Sequence, residues 1–433
     1  MNRDLLRDLY AAVCAALLVV TAVLVGRAIQ HRDGSLRVDW PPLLASWDPH
    51  VGPGTPAAVV VAATAVAYGP SLAARLPWRP LLFAAWGASM AWTWSLALVD
   101  GWHRGVAEQL TTRNEYLTVV GRFHDIPAAL RDFTRHILID SPDNWPAHVA
   151  GHPPGATLTF VLLDRVGLGG GGWAGAWCIT VGTTAAVAVL VAVRTLADES
   201  LARRAAPFLV LAPGAVWVGT SADGYFAAVG AWGVALLALS VRGFWPRLNG
   251  FCSGLLFGVT VYLSYGLTLL VVVMGAVVFL GSRRPLFFVV AGFVVVPVVF
   301  TSLGFDWWEA YRLLVTRYYQ GSGGVRPYWY WVWGNLACAV FLVGPAGVAG
   351  LRRIVAGVRV RSPRPFEVLV VAAALALLIA DLSGMSKAET ERIWLPFAVW
   401  LLPAGALLGR VRGWLVAQAL LALLVNHLLL TGW

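Results

Sequence analysis

Lysine is almost missing from this chain: Lys387 is the only one in 433 residues. Charge of either sign is scarce, at 12% of residues, where a soluble domain carries about 25%. That deficit excludes an ordinary water-soluble enzyme. Cysteine is sparse too. Cys14, Cys178, Cys252 and Cys338 fall within apolar runs, with no metal-ligand or disulfide-framework spacing, and read as small buried hydrophobes. There is no tandem repeat, heptad run or low-complexity linker. No cleavable leader is expected, because the first apolar run, near 9–25, is long enough to span and no small-residue cleavage site follows it. The formal net charge of +10 would suggest a nucleic-acid partner in a soluble protein. Here the arginines sit in short loops between apolar runs, where they set orientation, so no nucleic acid is expected.

What the sequence does have is apolar length. Hydrophobic residues make up 59% of it, and the mean hydropathy is +0.72. Runs of about 20 apolar residues recur throughout, the signature of membrane helices rather than of an alternating barrel. The expected fold is all-α and polytopic, with about 13 spans. They fall near 8–28, 56–74, 80–99, 173–193, 205–220, 225–241, 249–264, 266–281, 285–303, 328–349, 365–383, 393–410 and 412–431.

The segment 155–168 is too short to span and ends on Asp164-Arg165. With the N-terminus cytoplasmic and this segment not crossing, the short basic loops fall on one side, as the positive-inside rule requires. These hold Arg75 and Arg79; Arg194, Arg203 and Arg204; Arg242 and Arg247; Arg283 and Arg284; Arg352, Arg353, Arg359, Arg361 and Arg364; and Arg410 and Arg412. A full crossing would invert every later loop. The segment therefore reads as a short or re-entrant helix returning to the outer face. The polar segments 29–55, 100–154, 304–327 and 384–392 then share that face with the turn Ser221-Ala222-Asp223-Gly224.

Five of the eight histidines (His103, His124, His136, His148 and His152) lie in the polar stretch 100–155. It also carries Glu115, Asp125, Asp132, Asp140 and Asp143, and closes on Gly151-His152-Pro153-Pro154-Gly155. Proline suits a first helical turn, so His152 sits just ahead of a helix. Asp223, between two spans, is costly unless paired or facing a polar cavity. Lys387 and Arg392 run against the charge bias of an outer loop, which requires a local reason. Either they contact a substrate phosphate, or they pair with Glu389 or Glu391.

In order, the motifs are Asn114-Glu115-Tyr116, His152-Pro153-Pro154-Gly155, Arg203-Arg204 and Ser221-Ala222-Asp223. Over residues 80–240 this succession resembles the membrane-embedded GT-C glycosyltransferases, in the protein mannosyltransferase and aminoarabinose transferase branch. That branch has an acidic first outer loop, an (H/K)-P-P-(L/G) helix start, a basic inner loop and an outer (T/S)-x-D turn. The resemblance implies a catalytic module at 80–240, preceded by an additional helical pair at 1–79 and followed by membrane helices at 241–433. It also implies a polyprenyl-phosphate sugar as donor and inversion at the anomeric carbon.

Such a transfer needs a base for the acceptor hydroxyl and cationic groups for the departing phosphate. Glu115 is the candidate base and Asp223 the alternative, with Asp125, Asp140 and Asp143 behind them. The family usually has Asp-Glu where this chain has Asn114-Glu115, which leaves the choice of carboxylate open. Arg317, Arg326, Lys387 and Arg392 are candidates for the donor phosphate. Asn114, His148, His152 and Tyr319 are candidates for orienting the substrate, although Tyr319 and its aromatic neighbours also suit a membrane interface.

The acceptor is open: a cell-envelope glycan, a protein or a secreted small molecule. A divalent metal is compatible with the acids and histidines, but no spacing is diagnostic. The expected location is the bacterial cytoplasmic membrane, with the site outside. A transporter or flippase of a lipid-linked precursor and an outer-face acyltransferase using His152 are the rival readings. The first rival predicts mid-membrane charges and internal repeats.

Overall fold

The computed structural model describes residues 3–357 and 364–432. Among these the protein is a helical bundle with one two-stranded sheet, in which Ala45–Trp47 pairs antiparallel with Leu429–Thr431. Eight helices are long and apolar enough to cross a membrane, or up to nine if the bent pair Leu286–Ser302 and Trp307–Gln320 is one span. Those eight are Arg3–Asp33, Thr55–Arg75, Trp78–Asp100, Gly171–Leu196, Ala222–Val241, Tyr328–Gly357, Pro365–Leu382 and Val411–Leu428.

The other predicted spans take a different form. The stretch predicted at 205–220 is two helices, Glu199–Val210 and Ala215–Val218, parted at Ala212-Pro213. That at 266–281 is the shorter apolar helix Tyr265–Phe279, and that at 393–410 the short, proline-interrupted stretch Leu395–Leu407. Pro246–Leu263 forms a helix where 249–264 was expected, but Pro246-Arg247-Leu248-Asn249 at its start makes it less apolar. The last predicted span, 412–431, stops at Leu428 and gives way to the strand.

Polar side chains gather toward two ends of the bundle. One end is basic. Arg203 Nη1 donates to the carbonyls of Ala73 (2.8 Å) and Leu76 (2.7 Å). Arg242 Nη2 donates to Leu196 O at 2.9 Å, and Arg353 Nη1 to Leu407 O at 2.6 Å. Asp8, fully buried, takes ion pairs from Arg352 (2.7 Å) and Arg353 (2.6 Å). Arg352 and Arg353 thus tie the first helix to the helix Tyr328–Gly357, a task invisible in their reading as orientation signals. Arg359 and Arg361 of the same loop lie outside the described residues.

The opposite end is a polar cap in which 29–55, 100–154, 304–327 and 384–392 interlock. Arg326 Nε donates to Leu36 O (3.0 Å), Leu44 N to Glu391 Oε1 (2.9 Å) and Ile139 N to Gln320 Oε1 (3.0 Å). His50 Nε2 lies 2.8 Å from Asp100 Oδ1.

The helix Pro154–Arg165 touches its neighbours at both ends. Its start packs on the Tyr262 carbonyl at Gly155, and Arg165 Nη2 donates to Phe123 O (3.0 Å) and His124 O (2.7 Å).

Small residues allow the close packing that apolar helices need in lipid. A Cβ at Gly254 would strike the Val289 carbonyl, and one at Gly292 the Phe251 carbonyl, so Pro246–Leu263 and Leu286–Ser302 meet backbone to backbone. At Gly344, φ is +68° and the helix Tyr328–Gly357 breaks ahead of Pro345. Gln418 repairs the break by donating Nε2 to Val343 O (2.9 Å) and accepting the Ala346 N–H (3.2 Å). Backbone freed inside an apolar bundle requires such a partner.

The cysteine expectation holds for Cys178 and Cys338, which are buried. Cys14 is exposed and Cys252 half-buried, because the helix Arg3–Asp33 turns only a narrow stripe toward its neighbours.

Candidate active site

The cap brings together side chains from four separated stretches. Glu115 stands immediately before the helical turn Tyr116–Phe123 and is only 3% exposed. His148 lies in the one-turn helix Ala147–Gly151, held by its N–H to Asn114 O at 3.0 Å. Asp223 sits in the first turn of Ala222–Val241, where the helix dipole favours a carboxylate and Ser221 Oγ caps its N–H at 3.2 Å. Arg392 comes from the loop between Pro365–Leu382 and Leu395–Leu407, and is 5% exposed.

Their contacts form one chain. Glu115 Oε1 is 2.5 Å from His148 Nδ1. His148 Nε2 is 3.1 Å from Arg392 Nη2, which also reaches Glu389 Oε2 at 2.8 Å. Arg392 Nη1 donates to Asp223 Oδ2. A guanidinium only donates, so His148 Nε2 must accept and its ring proton sits on Nδ1, directed at Glu115. Glu115 Oε2 is buried without a hydrogen-bond partner. Glu115 lines a small pocket with Tyr116, His148, Ser221 and Arg392.

Electrostatics sort the neighbouring groups. Burial pushes the His152 imidazole down to about 4, against an opposing pull from Asp223, so the ring is neutral at physiological pH. Its Nδ1 lies 2.8 Å from His148 O and 3.1 Å from the Tyr116 hydroxyl. Burial raises the Tyr116 hydroxyl well above its usual range, and Glu115 and Asp223 add to the effect. For Glu389, burial acts upward, but Arg392, Arg326 and His148 together outweigh it and hold the carboxyl well below the usual carboxylate range.

Glu391 behaves oppositely. Burial raises its carboxyl to about 7, with the Leu44 N–H opposing and Glu389 adding to the rise. Because the folded value exceeds the unfolded one, near 4.5, folding favours the protonated acid. Stability then falls as pH rises from the unfolded to the folded value, and levels off above it. Glu391→Gln should remove that slope and stabilise the purified protein at pH 8 by about 1–3 kcal/mol. Thermal unfolding at pH 5 and pH 8 measures this, and an unchanged slope in the variant contradicts the assignment.

Of the residues singled out in the sequence, Glu115, Asp223, His148, His152 and Arg392 gather at this point. The others do not. Arg326 spends its guanidinium on Leu36 O and Lys387 O (2.8 Å) and on Glu389 at 3.6 Å. Lys387 Nζ donates to Gly323 O at 2.8 Å. Arg317 donates Nη2 to Trp145 O (3.1 Å) and keeps a buried Nη1 without a partner. Asn114 and Tyr319 are exposed. Asp125 caps the helix Ile126–Asp132, Asp140 accepts from Gln320 Nε2 (3.2 Å), and Asp143 is exposed. Arg392 lies outside the 80–240 stretch, so the cluster is not confined to it. Glu389 was weighed only as an ion-pair partner, yet it clamps both Arg392 and Arg326. Its backbone (φ +63°) and that of Ala388 (φ +70°) are both left-handed, and neither residue type signals this.

No group of three or more His, Cys, Asp or Glu suited to a metal ion occurs among the described residues. Comparison with protein-family models gives no match. Comparison with curated proteins gives none either.

Proposed function

We propose that this protein is a glycosyltransferase that moves a sugar from a polyprenyl-phosphate donor to an acceptor hydroxyl. It acts at the polar cap, on the outer side of the bacterial cytoplasmic membrane, and each of the predicted spans crosses. The observation that carries this reading is Glu115: a buried carboxylate with one oxygen fixed by His148 and the other unpartnered. An acceptor O–H placed against Oε2 can lose its proton there as its oxygen bonds to the anomeric carbon. The bond from that carbon to the phosphate oxygen breaks in the same step, and polyprenyl phosphate leaves with the electron pair. Arg392, lining the same pocket, supplies positive charge beside the departing group.

Asp223 is less suited to be the base, since its carboxylate is committed to Arg392 and Ser221. A second feature supports a lipid donor. An apolar cavity of about 60 Å³ lies within the bundle, lined by Ser89, Thr93, Leu209, Gly224 and Leu395 among others. Gly224 follows Asp223 and Leu395 lies one turn beyond Arg392, so two residues of the cavity wall are chain neighbours of the charged cluster.

The test is to supply the detergent-purified chain with radiolabelled polyprenyl-phosphate sugars and, separately, a labelled acyl donor. Consumption of a sugar-lipid with release of polyprenyl phosphate is expected. Acyl incorporation alone, or uptake of intact lipid into proteoliposomes without cleavage, would replace this reading.

A further inference from the structure

A second cavity, about 220 Å³ and open to the surface, lies in the cap between the 37–46 loop, the strand at 429–431 and the helical turn carrying Arg104. Arg37, Asp39, Ser46 and Arg104 line it. Arg104 is half-buried and makes no hydrogen bond or ion pair among the described residues. Arg37 has one side-chain contact, from Nη1 to Ser322 Oγ at 3.3 Å. Its backbone, by contrast, is pinned. The N–H donates to Gln30 Oε1 (3.0 Å) and the carbonyl accepts from Arg326 Nη2 (3.5 Å), at φ +53°. Two guanidiniums, that of the exposed Arg37 and that of the half-buried Arg104, therefore face one pocket with most of their donors unused by the protein, a pair that an anion can bridge through forked hydrogen bonds.

The pocket is coupled to the Glu115 site by two routes. Arg104 and Gln109 occupy one continuous helical segment, His103–Glu108 running into Gln109–Thr111, and Gln109 lines the Glu115 pocket. On the other wall Leu44 lines the open pocket, and its N–H bonds Glu391, next to Arg392.

We propose that this pocket is an anion subsite for the acceptor. It takes a phosphate, sulfate or carboxylate group carried by the molecule whose hydroxyl reaches Glu115. The inference rests on the glycosyltransferase reading above. The donor's phosphate joins its lipid to the reacting carbon and so belongs between the apolar cavity and Glu115. The Arg37–Arg104 pocket lies instead among the cap loops, across the Leu44–Glu391 contact. Asp39 and Ser46 on its wall offer acceptors to hydroxyl groups of the same ligand, as on a sugar phosphate or sugar acid.

The test needs no turnover. Binding of glucose 6-phosphate, with glucose as the neutral control, is measured by calorimetry on the full-length detergent-purified protein. Wild type should bind the phosphate saturably and ignore glucose at the same concentration. Arg37→Gln with Arg104→Gln should weaken binding at least tenfold, and Arg104→Gln alone, kept in case the double variant misfolds, at least threefold. Absence of binding by wild type, or equal binding by the variants, overturns the proposal. Displacement of glucose 6-phosphate by farnesyl phosphate would reassign the pocket to the donor, and also overturns it. If the arginine-dependent binding holds but no sugar-lipid is consumed, the transferase reading fails while the anion site stands.

Discussion

If the proposed transfer holds, Glu115→Gln should leave the fold intact and cut turnover about 10²–10⁴-fold, the range that a positioned general base contributes. Glutamine has the shape of glutamate, and its amide oxygen can still accept the His148 Nδ1 proton now held at 2.5 Å. The melting temperature should therefore shift little. What is lost is the unpartnered Oε2, replaced by an amide nitrogen that cannot take a proton. The fall should appear in kcat rather than in the KM for the donor, because Glu115 acts on the acceptor hydroxyl. Near-normal turnover in Glu115→Gln, together with collapse in Asp223→Asn, would move the base to Asp223 and sink the assignment.

The second large effect is on stability. Arg392→Gln leaves Asp223 without its counter-charge in a buried setting, and Glu389 with Arg326 alone at 3.6 Å. Breaking such a pair by removing one member typically costs about 3–5 kcal/mol, a large share of a marginal total. The variant should unfold at a markedly lower temperature, or fail to accumulate. The control is Arg392→Gln combined with Asp223→Asn, which removes the orphaned charge. It should regain much of the lost stability but none of the activity, because His148 Nε2 has lost the donor that fixes its tautomer. A single variant that melts with wild type would show that the cluster is not held by this guanidinium.

The parts of this arrangement that were legible in the sequence are those with a local signature. Apolar runs gave the helices, and arginine spacing gave the basic end. Pro153-Pro154 marked a helix start, and Ser221-Ala222-Asp223 a turn between two spans. The helix breaks also had a signal, since Pro207, Pro213, Pro396 and Pro403 all fall inside stretches read as continuous spans. There apolar content was weighted over the missing N–H and ring clash of proline.

What could not be read is pairing at long range. His148 meets Arg392 across 244 positions, and Arg352 and Arg353 meet Asp8 across 344 and 345. Composition is silent about such partners. The cationic candidates show the consequence. Charge against the orientation bias correctly marked Lys387 and Arg392 as having local reasons, but Lys387 answers to a backbone carbonyl and Arg392 to three side chains. Arg37 and Arg104 drew no notice, because a lone arginine in a loop looks like any other until a cavity opens beside it.

The smallest element of the fold constrains how the molecule can be made. Ala45 pairs with Thr431, and Trp47 with Leu429, so a ribbon begun near the start of translation stays single-stranded until synthesis reaches residue 431. The wall it contributes to the Arg37–Arg104 cavity cannot close while the nascent chain is still on the ribosome and short of that point. A product truncated after Gly409 would keep every residue of the Glu115 cluster and still emerge with an unfinished lid.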